Sequence, residues 1–206
     1  MSSTVVSLAG APGKREQNKL ANRAQILEAA RAVFFELGYE TATVRDIIRR
    51  TGLSVGAFYN YYRSKEEVYE ALADDGARRF RPLLRAVTQE ALEFDAYIRA
   101  AVRAYFDFLI AEENPGADHS AFPSVRMETP QMRAVFEEVK AAVTKVIERG
   151  AAPKVDADYL AGAAIAVARE IGERMLRRKD PDVAAAADFA AALILGGLPA
   201  LPRLQT

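Results

Sequence analysis

From about residue 18 to residue 197, apolar side chains recur at three- and four-residue spacing, and no apolar–polar alternation lasts long enough to make a convincing strand. A period near 3.6 puts every such stripe on one face of a helix. The chain is therefore expected to be all-α, a stack of helices burying their stripes against one another.

Stop and start signals divide the pattern. A first helix is expected from about Asn18 to Leu37, with Ile26, Leu27, Ala30, Val33, Phe34 and Leu37 inward and Gly38 ending it. Thr43-Val44-Arg45-Asp46 sets a hydroxyl three residues before a carboxylate, a capping box for a short helix that Gly52 stops. Ser54 caps a third helix, roughly Val55 to Tyr61, and Ser64-Lys65-Glu66-Glu67 opens a long fourth one that Pro82 should kink or break. Further helices are expected from about Asp95 to Ala111, from Thr129-Pro130 to about Glu148, from Asp156 to about Arg178, and from Asp180-Pro181 to near Gly196-Gly197. Residues 1–17 read as a flexible arm, 18–64 as one small domain and 65–206 as a second.

Two short helices joined by a glycine turn, about Thr43 to Tyr61, make a helix-turn-helix. Its second helix fits the major groove, where each base pair shows a distinct donor and acceptor pattern. Phe58 and Tyr62 are expected to pack on the first helix. The face left for DNA is Val55, Gly56, Ala57, Tyr59, Asn60 and Tyr61, with Thr43, Arg45, Ser54 and Lys65 alongside. Gly56 allows close backbone approach. Val55 and Ala57 suit a thymine methyl, and Tyr59, Asn60, Tyr61 and Lys65 suit phosphates and base edges. Charge agrees: the chain has no net charge, yet from Lys14 to Lys65 it carries ten basic and five acidic residues, the footprint of a nucleic-acid module.

Other chemistry finds little support. There is no cysteine, which excludes disulfides, thiolate metal sites and cysteine nucleophiles. The only histidine, His119, lies beside Asp118 and Ser120, and adjacent residues cannot converge as a triad requires. The pairs Glu112-Glu113 and Glu137-Glu138 read as solvated helix faces. No metal site, cofactor or enzymatic activity is expected. The longest apolar stretch, Val183 to Leu201, contains Asp188, two glycines and a proline, so no membrane span is expected and the location is read as cytoplasmic.

The segment Arg23 to Leu72 resembles the amino-terminal domain of the TetR (TetR/AcrR) family of bacterial regulators, through ILEAARAVF (Ile26 to Phe34), Gly38-Tyr39, TVRDI (Thr43 to Ile47) and TGLSVGAFYNYYRSKEEVYEAL (Thr51 to Leu72). It departs from the family at Ile48, where a small residue is usual. The resemblance implies an all-helical homodimer. A helix-turn-helix domain would be joined by the long helix to a carboxy-terminal domain that binds a small molecule and dimerises through its last two helices. It implies a repressor released from a palindromic operator by its effector; the alternative reading is a helical small-molecule-binding protein without DNA binding. The partners implied are double-stranded operator DNA, a small-molecule effector and a second copy of the chain. Residues expected at the dimer interface are Leu160, Ala164, Ala168, Ile171, Met175, Phe189, Ala190, Leu193 and Ile194. Those expected to line an effector pocket are Phe80, Tyr105, Phe106, Phe122, Met127, Met132, Phe136 and Arg169, with Arg126 a further cation nearby.

Overall fold

A computed structural model of the chain describes residues 13–90, 93–112, 129–150 and 154–203. These form helices α1 (Lys14–Leu37), α2 (Val44–Thr51), α3 (Val55–Tyr59), α4 (Lys65–Glu90), α5 (Phe94–Glu112), α6 (Pro130–Glu148), α7 (Ala157–Leu176) and α8 (Val183–Gly197), with a 3-10 turn at Leu198–Ala200. Among the described residues there is no strand.

Most boundaries follow their caps. Thr43 accepts from the Asp46 amide at 3.3 Å while the Thr43 amide donates to Asp46 Oδ2 at 3.1 Å, which closes the expected capping box. The Thr43 hydroxyl, which donates to Asp46 Oδ2 at 2.6 Å, and then the Thr43 amide hold the Asp46 carboxyl below its ordinary pKa. Gly38 and Gly52 both take positive φ, 73° and 67°, which a side chain would resist. At α4, Ser64 accepts from the Glu67 amide, but Glu67 reaches back to the amide of Arg63 instead of Ser64.

Three boundaries differ from expectation. Helix α1 starts at Lys14 rather than Asn18, because its first turns, exposed from Lys14 to Ala21, have no apolar face to announce them. Helix α4 runs unbroken through Pro82; Phe80 and Leu84, both buried, anchor it on either side of the missing N–H. Helix α8 starts after Asp182, whose carboxylate accepts from the Ala185 amide at 2.9 Å, so Asp180-Pro181 lies outside it.

The helices bury two separate cores. The first joins Ile26, Ala30, Val33 and Phe34 of α1 to Ile47, Phe58, Tyr62 and Val68, with Ile48 partly buried at its edge. It takes in the start of α4 as far as Leu72. The second begins at Phe80 and gathers α5 to α8 around Phe106, Val143, Ala161 and Ala190. Helix α4 is thus shared, with the change of core between Leu72 and Phe80.

Ion pairs tie the pieces together. Glu112, at the end of α5, accepts from Arg31 of α1 at 3.1 Å and also pairs with Arg79 of α4. Glu138 of α6 accepts from Arg81 at 2.5 Å and Arg85 at 2.6 Å, both on α4. Burial works to raise the Glu138 pKa, but the two arginines outweigh it and hold the carboxyl below its usual value. The reading of Glu112 and Glu138 as solvated is therefore corrected: their side chains are only 24% and 20% exposed; Glu112 ties α5 to both α1 and α4, and Glu138 ties α6 to α4. Glu137 does face solvent, while Glu113 and the loop with His119 lie outside the described residues.

Candidate functional site

Phe58 is the pivot of the helix-turn-helix. It is fully buried, edge-on to Tyr59 at 5.5 Å and near Tyr62 at 6.3 Å. Burying it contributes about 2–3 kcal/mol and fixes the rotation of α3. With Phe58 inward, Ser54, Val55, Gly56, Tyr59 and Asn60 are exposed, Val55 at 59% and Tyr59 at 51%. Ala57 is half-buried. Ser54 accepts from the Ala57 amide at 3.1 Å, so its hydroxyl is already the cap of α3. Thr43 is likewise engaged with Asp46, and Arg45 is exposed.

Two expected DNA contacts are otherwise employed. The Lys65 ammonium donates to the carbonyls of Tyr39 (2.8 Å), Glu40 (3.2 Å) and Ala42 (3.2 Å), and sits 4.5 Å above the Tyr39 ring. An ammonium has three protons, so in this arrangement none remains for a phosphate; Lys65 fastens the α1–α2 turn to α4. The Tyr61 hydroxyl accepts from Asn22 Nδ2 at 3.2 Å, and Arg23 donates to the Tyr62 hydroxyl at 3.1 Å. Both tyrosines therefore brace α1 against the motif. The sequence reading missed the first turns of α1, which present Lys14, Arg15 and Lys19 to solvent.

In the second core, α4 to α8 line a cavity of about 290 Å³, near the small end of ligand sites. Of the residues expected there, Phe80, Tyr105, Met132, Phe136 and Arg169 line it. Phe106 does not: it is fully buried in the packing between helices. Phe122, Met127 and Arg126 lie outside the described residues. The sequence reading missed much of the wall, including Ala73, Ala77, Leu84, Ile98, Val102 and Val139, because a small or branched side chain lining a void has the same spacing as one filling a core. Among the described residues Arg169 is the only charged one in the wall, and Tyr97 and Tyr105 also line it, the Tyr97 hydroxyl itself being buried. Desolvation pushes both phenols up to about 12, so both are neutral.

The surface expected for dimerisation divides in two. Phe189 and Leu193 stand on the outer face of α8, 59% and 54% exposed, and Tyr159 at the start of α7 is 78% exposed. Leu160, Ala164, Met175, Ala190 and Ile194 are instead buried inside the subunit. Ala164, Ala168 and Ile194 line the cavity, and Ile171 packs partly buried against the core. Small residues on these helices serve close packing within one chain as well as between chains. The stretch Val183–Ala200 is long and apolar enough by composition to cross a bilayer, with only 28% of it buried. In the fold it packs against α5 and α7, leaving one apolar face open.

Residues 26–72 match the family model described as bacterial regulatory proteins, tetR family. The chain is 31% identical over 144 residues to the HTH-type transcriptional activator FasR of Mycolicibacterium smegmatis, covering 66% of this chain and 63% of that protein. It is 40% identical over 68 residues to the HTH-type transcriptional repressor Rv1474c of Mycobacterium tuberculosis, covering 33% of this chain and 36% of the relative. The matches thus span less than two thirds of these relatives' own lengths. Among solved structures, the fatty acid degradation regulator FadR of Bacillus halodurans superposes with a TM-score of 0.70 at 21% identity, over 92% of this chain and 98% of that one. FadR of Bacillus subtilis, solved in complex with stearoyl-CoA, does so at 0.70 and 18%, over 84% and 98%. At such identities these structures speak for the fold alone. Motif, fold and relatives agree, and residues 26–72 form the domain that characterises the bacterial regulatory proteins of the tetR family.

Proposed function

We propose that the protein is a dimeric, DNA-binding transcriptional regulator that responds to a small apolar effector. The observation that carries this reading is the outward face of α3. Buried Phe58 turns Val55, Gly56, Tyr59 and Asn60 to solvent together, on a domain with a basic excess. Val55, Gly56 and Ala57 would meet base edges, Asn60 would select among them, and Tyr59, Arg45 and the leading turns of α1 would hold phosphates. The open apolar face of α8 supports a two-helix contact with a second copy through Phe189 and Leu193, with Tyr159 of α7 beside it. Two-fold symmetry would then call for a pseudo-palindromic operator with half-sites one helical turn apart.

The cavity is the proposed effector site. The stearoyl-CoA held by the Bacillus subtilis neighbour supports an apolar ligand. The relatives bear names of both signs, activator and repressor. Repression is the reading adopted, because a dimer seated on an operator can block transcription with no further contact. A cytoplasmic location follows from that role. The test is selection of DNA by the purified protein, followed by salt-dependent affinity for the selected duplex. Expected are a palindromic consensus and a steep loss of affinity with salt. Salt-independent binding, or no enrichment, would leave a ligand-binding protein that does not read DNA. Operator and effector must each weaken the other by the same factor if the effector is an inducer.

A further inference from the structure

Taking the cavity as the effector site, we propose that it selects an elongated amphiphile with a single anionic head, and that the head lies at Arg169, at the end nearest the DNA-binding domain. The shape comes from the helices. Along α5 the wall runs from Tyr97 to Tyr105, and along α4 from Ala73 to Leu84. At 1.5 Å per residue these are about 12 and about 16 Å, so the space is a slot that runs with the helices. Its two ends differ. Tyr105 stacks edge-on to Phe80 at 5.4 Å. Arg169 lines the slot together with Tyr105. Beyond the effect of burial, Glu173 and, after it, Arg169 act on the Tyr105 and Tyr69 hydroxyls, Glu173 against their ionisation and Arg169 for it. Tyr69 belongs to the aromatic group of the first core, 5.0 Å from the Tyr39 ring and 6.0 Å from that of Phe34. Toward the other end the lining residues are Leu84, Ile98 and Ile194, beside Tyr97.

Charge then fixes the polarity of the ligand. Among the described residues no carboxylate lines the slot, and its one cation is Arg169, which favours an anionic over a cationic ligand. Four arginines of α4 point elsewhere: Arg78 and Arg79 are held by Asp75, and Arg81 and Arg85 by Glu138. Arg169 has no such carboxylate among the described residues. Glu173, one turn further on α7, is not part of the wall. Arg169 is exposed, so the head sits at a hydrated mouth while the chain lies along Phe80, Ile98 and Val102. A guanidinium there offers a paired N–H fork to a carboxylate or phosphate oxygen pair.

The test is calorimetric titration of the full-length protein with decanoate, methyl decanoate and decyltrimethylammonium, all below their aggregation limits. Decanoate should bind about two- to fivefold more tightly than the ester, the range for an exposed charge pair, and the ammonium should bind weakest. Arg169→Met should remove the advantage of decanoate without weakening the ester, and Arg169→Lys should keep part of it. Ester binding equal to decanoate, tightest binding of the ammonium, or equal weakening of decanoate and ester by Arg169→Met would overturn the assignment of the head while leaving the cavity as effector site. Binding of none of the three would overturn both.

Discussion

The first core and the second are built from the same materials, amphipathic helices with aromatic and branched side chains, yet one is filled and the other is hollow. In the first, Phe58, Ile47, Ile26 and Val68 are all fully buried, and the aromatic rings of Phe34, Tyr39 and Tyr69 close on one another. In the second, rings and small residues from four helices face a space instead of a partner. A filled core behaves as one rigid body, which suits a surface that must meet fixed positions on DNA. A hollow one has two states available, occupied and empty, which is what a responsive element requires.

The largest break in that contrast comes from the pivot. Phe58→Ala should cost about 3–5 kcal/mol, a large share of a small domain's stability. The first core has no slack to absorb the void. Binding to operator should vanish, while the second core, which shares no packing with Phe58, should keep its affinity for an apolar probe. Denaturant unfolding followed by DNA and probe titrations separates the two; loss of both activities together would mean that the cores do not fold independently.

Next in size is the open face of α8. Replacing Phe189 and Leu193 by Asp should cost at least about 2 kcal/mol of association if these are central contacts. Light scattering would then show a monomer with weakened operator affinity. An unchanged dimer would move the interface elsewhere, most directly to the Tyr159 end of α7.

Lys65→Ala sharpens the comparison from inside the first domain. Three carbonyls lose a charged donor, so stability should fall by about 1–3 kcal/mol, while the salt dependence of DNA binding should stay as it was. Arg45→Ala should do the reverse, lowering the salt slope by about one phosphate per subunit and sparing stability. If Lys65→Ala lowered the salt slope, its ammonium would have to leave the carbonyls and turn to DNA in the complex.

The same contrast governs how much could be read from the sequence. The first domain was legible because its residues are set by short-range rules: Thr43 and Asp46 make their box within one turn, Gly52 turns left-handed where a stop was needed, and Phe58 falls inward by helical spacing. What was missed there depends on groups far apart in the chain, such as Lys65 reaching back to Tyr39 or Asn22 meeting Tyr61. In the second domain, spacing marks a residue as inward but not what it faces. Phe106 was placed at the cavity and lies in solid packing; Ala164, placed at an interface, lines the cavity. Glu112 and Glu138 looked solvated because their arginine partners stand on other helices.

The smallest effect expected, and the one that bears on how the two regions communicate, concerns Glu112. It ends α5, whose Tyr97 to Tyr105 stretch walls the cavity, and it pairs with Arg31 in α1 and Arg79 in α4. A ligand that spreads α4 from α5 would pull on this junction, and α1 would follow through Arg31. Arg31 and Arg79 side chains are 35% and 38% exposed, so Glu112→Gln should cost only about 0.5–1 kcal/mol of stability. Its consequence should be in coupling. Operator and effector should each still bind, but the factor by which one weakens the other should shrink by about two- to fivefold, within the range known for residues between coupled sites. The measurement is effector affinity with and without saturating operator, for both proteins. An unchanged ratio would assign the coupling to α4 alone, with the Glu112 junction serving only to hold the domains together.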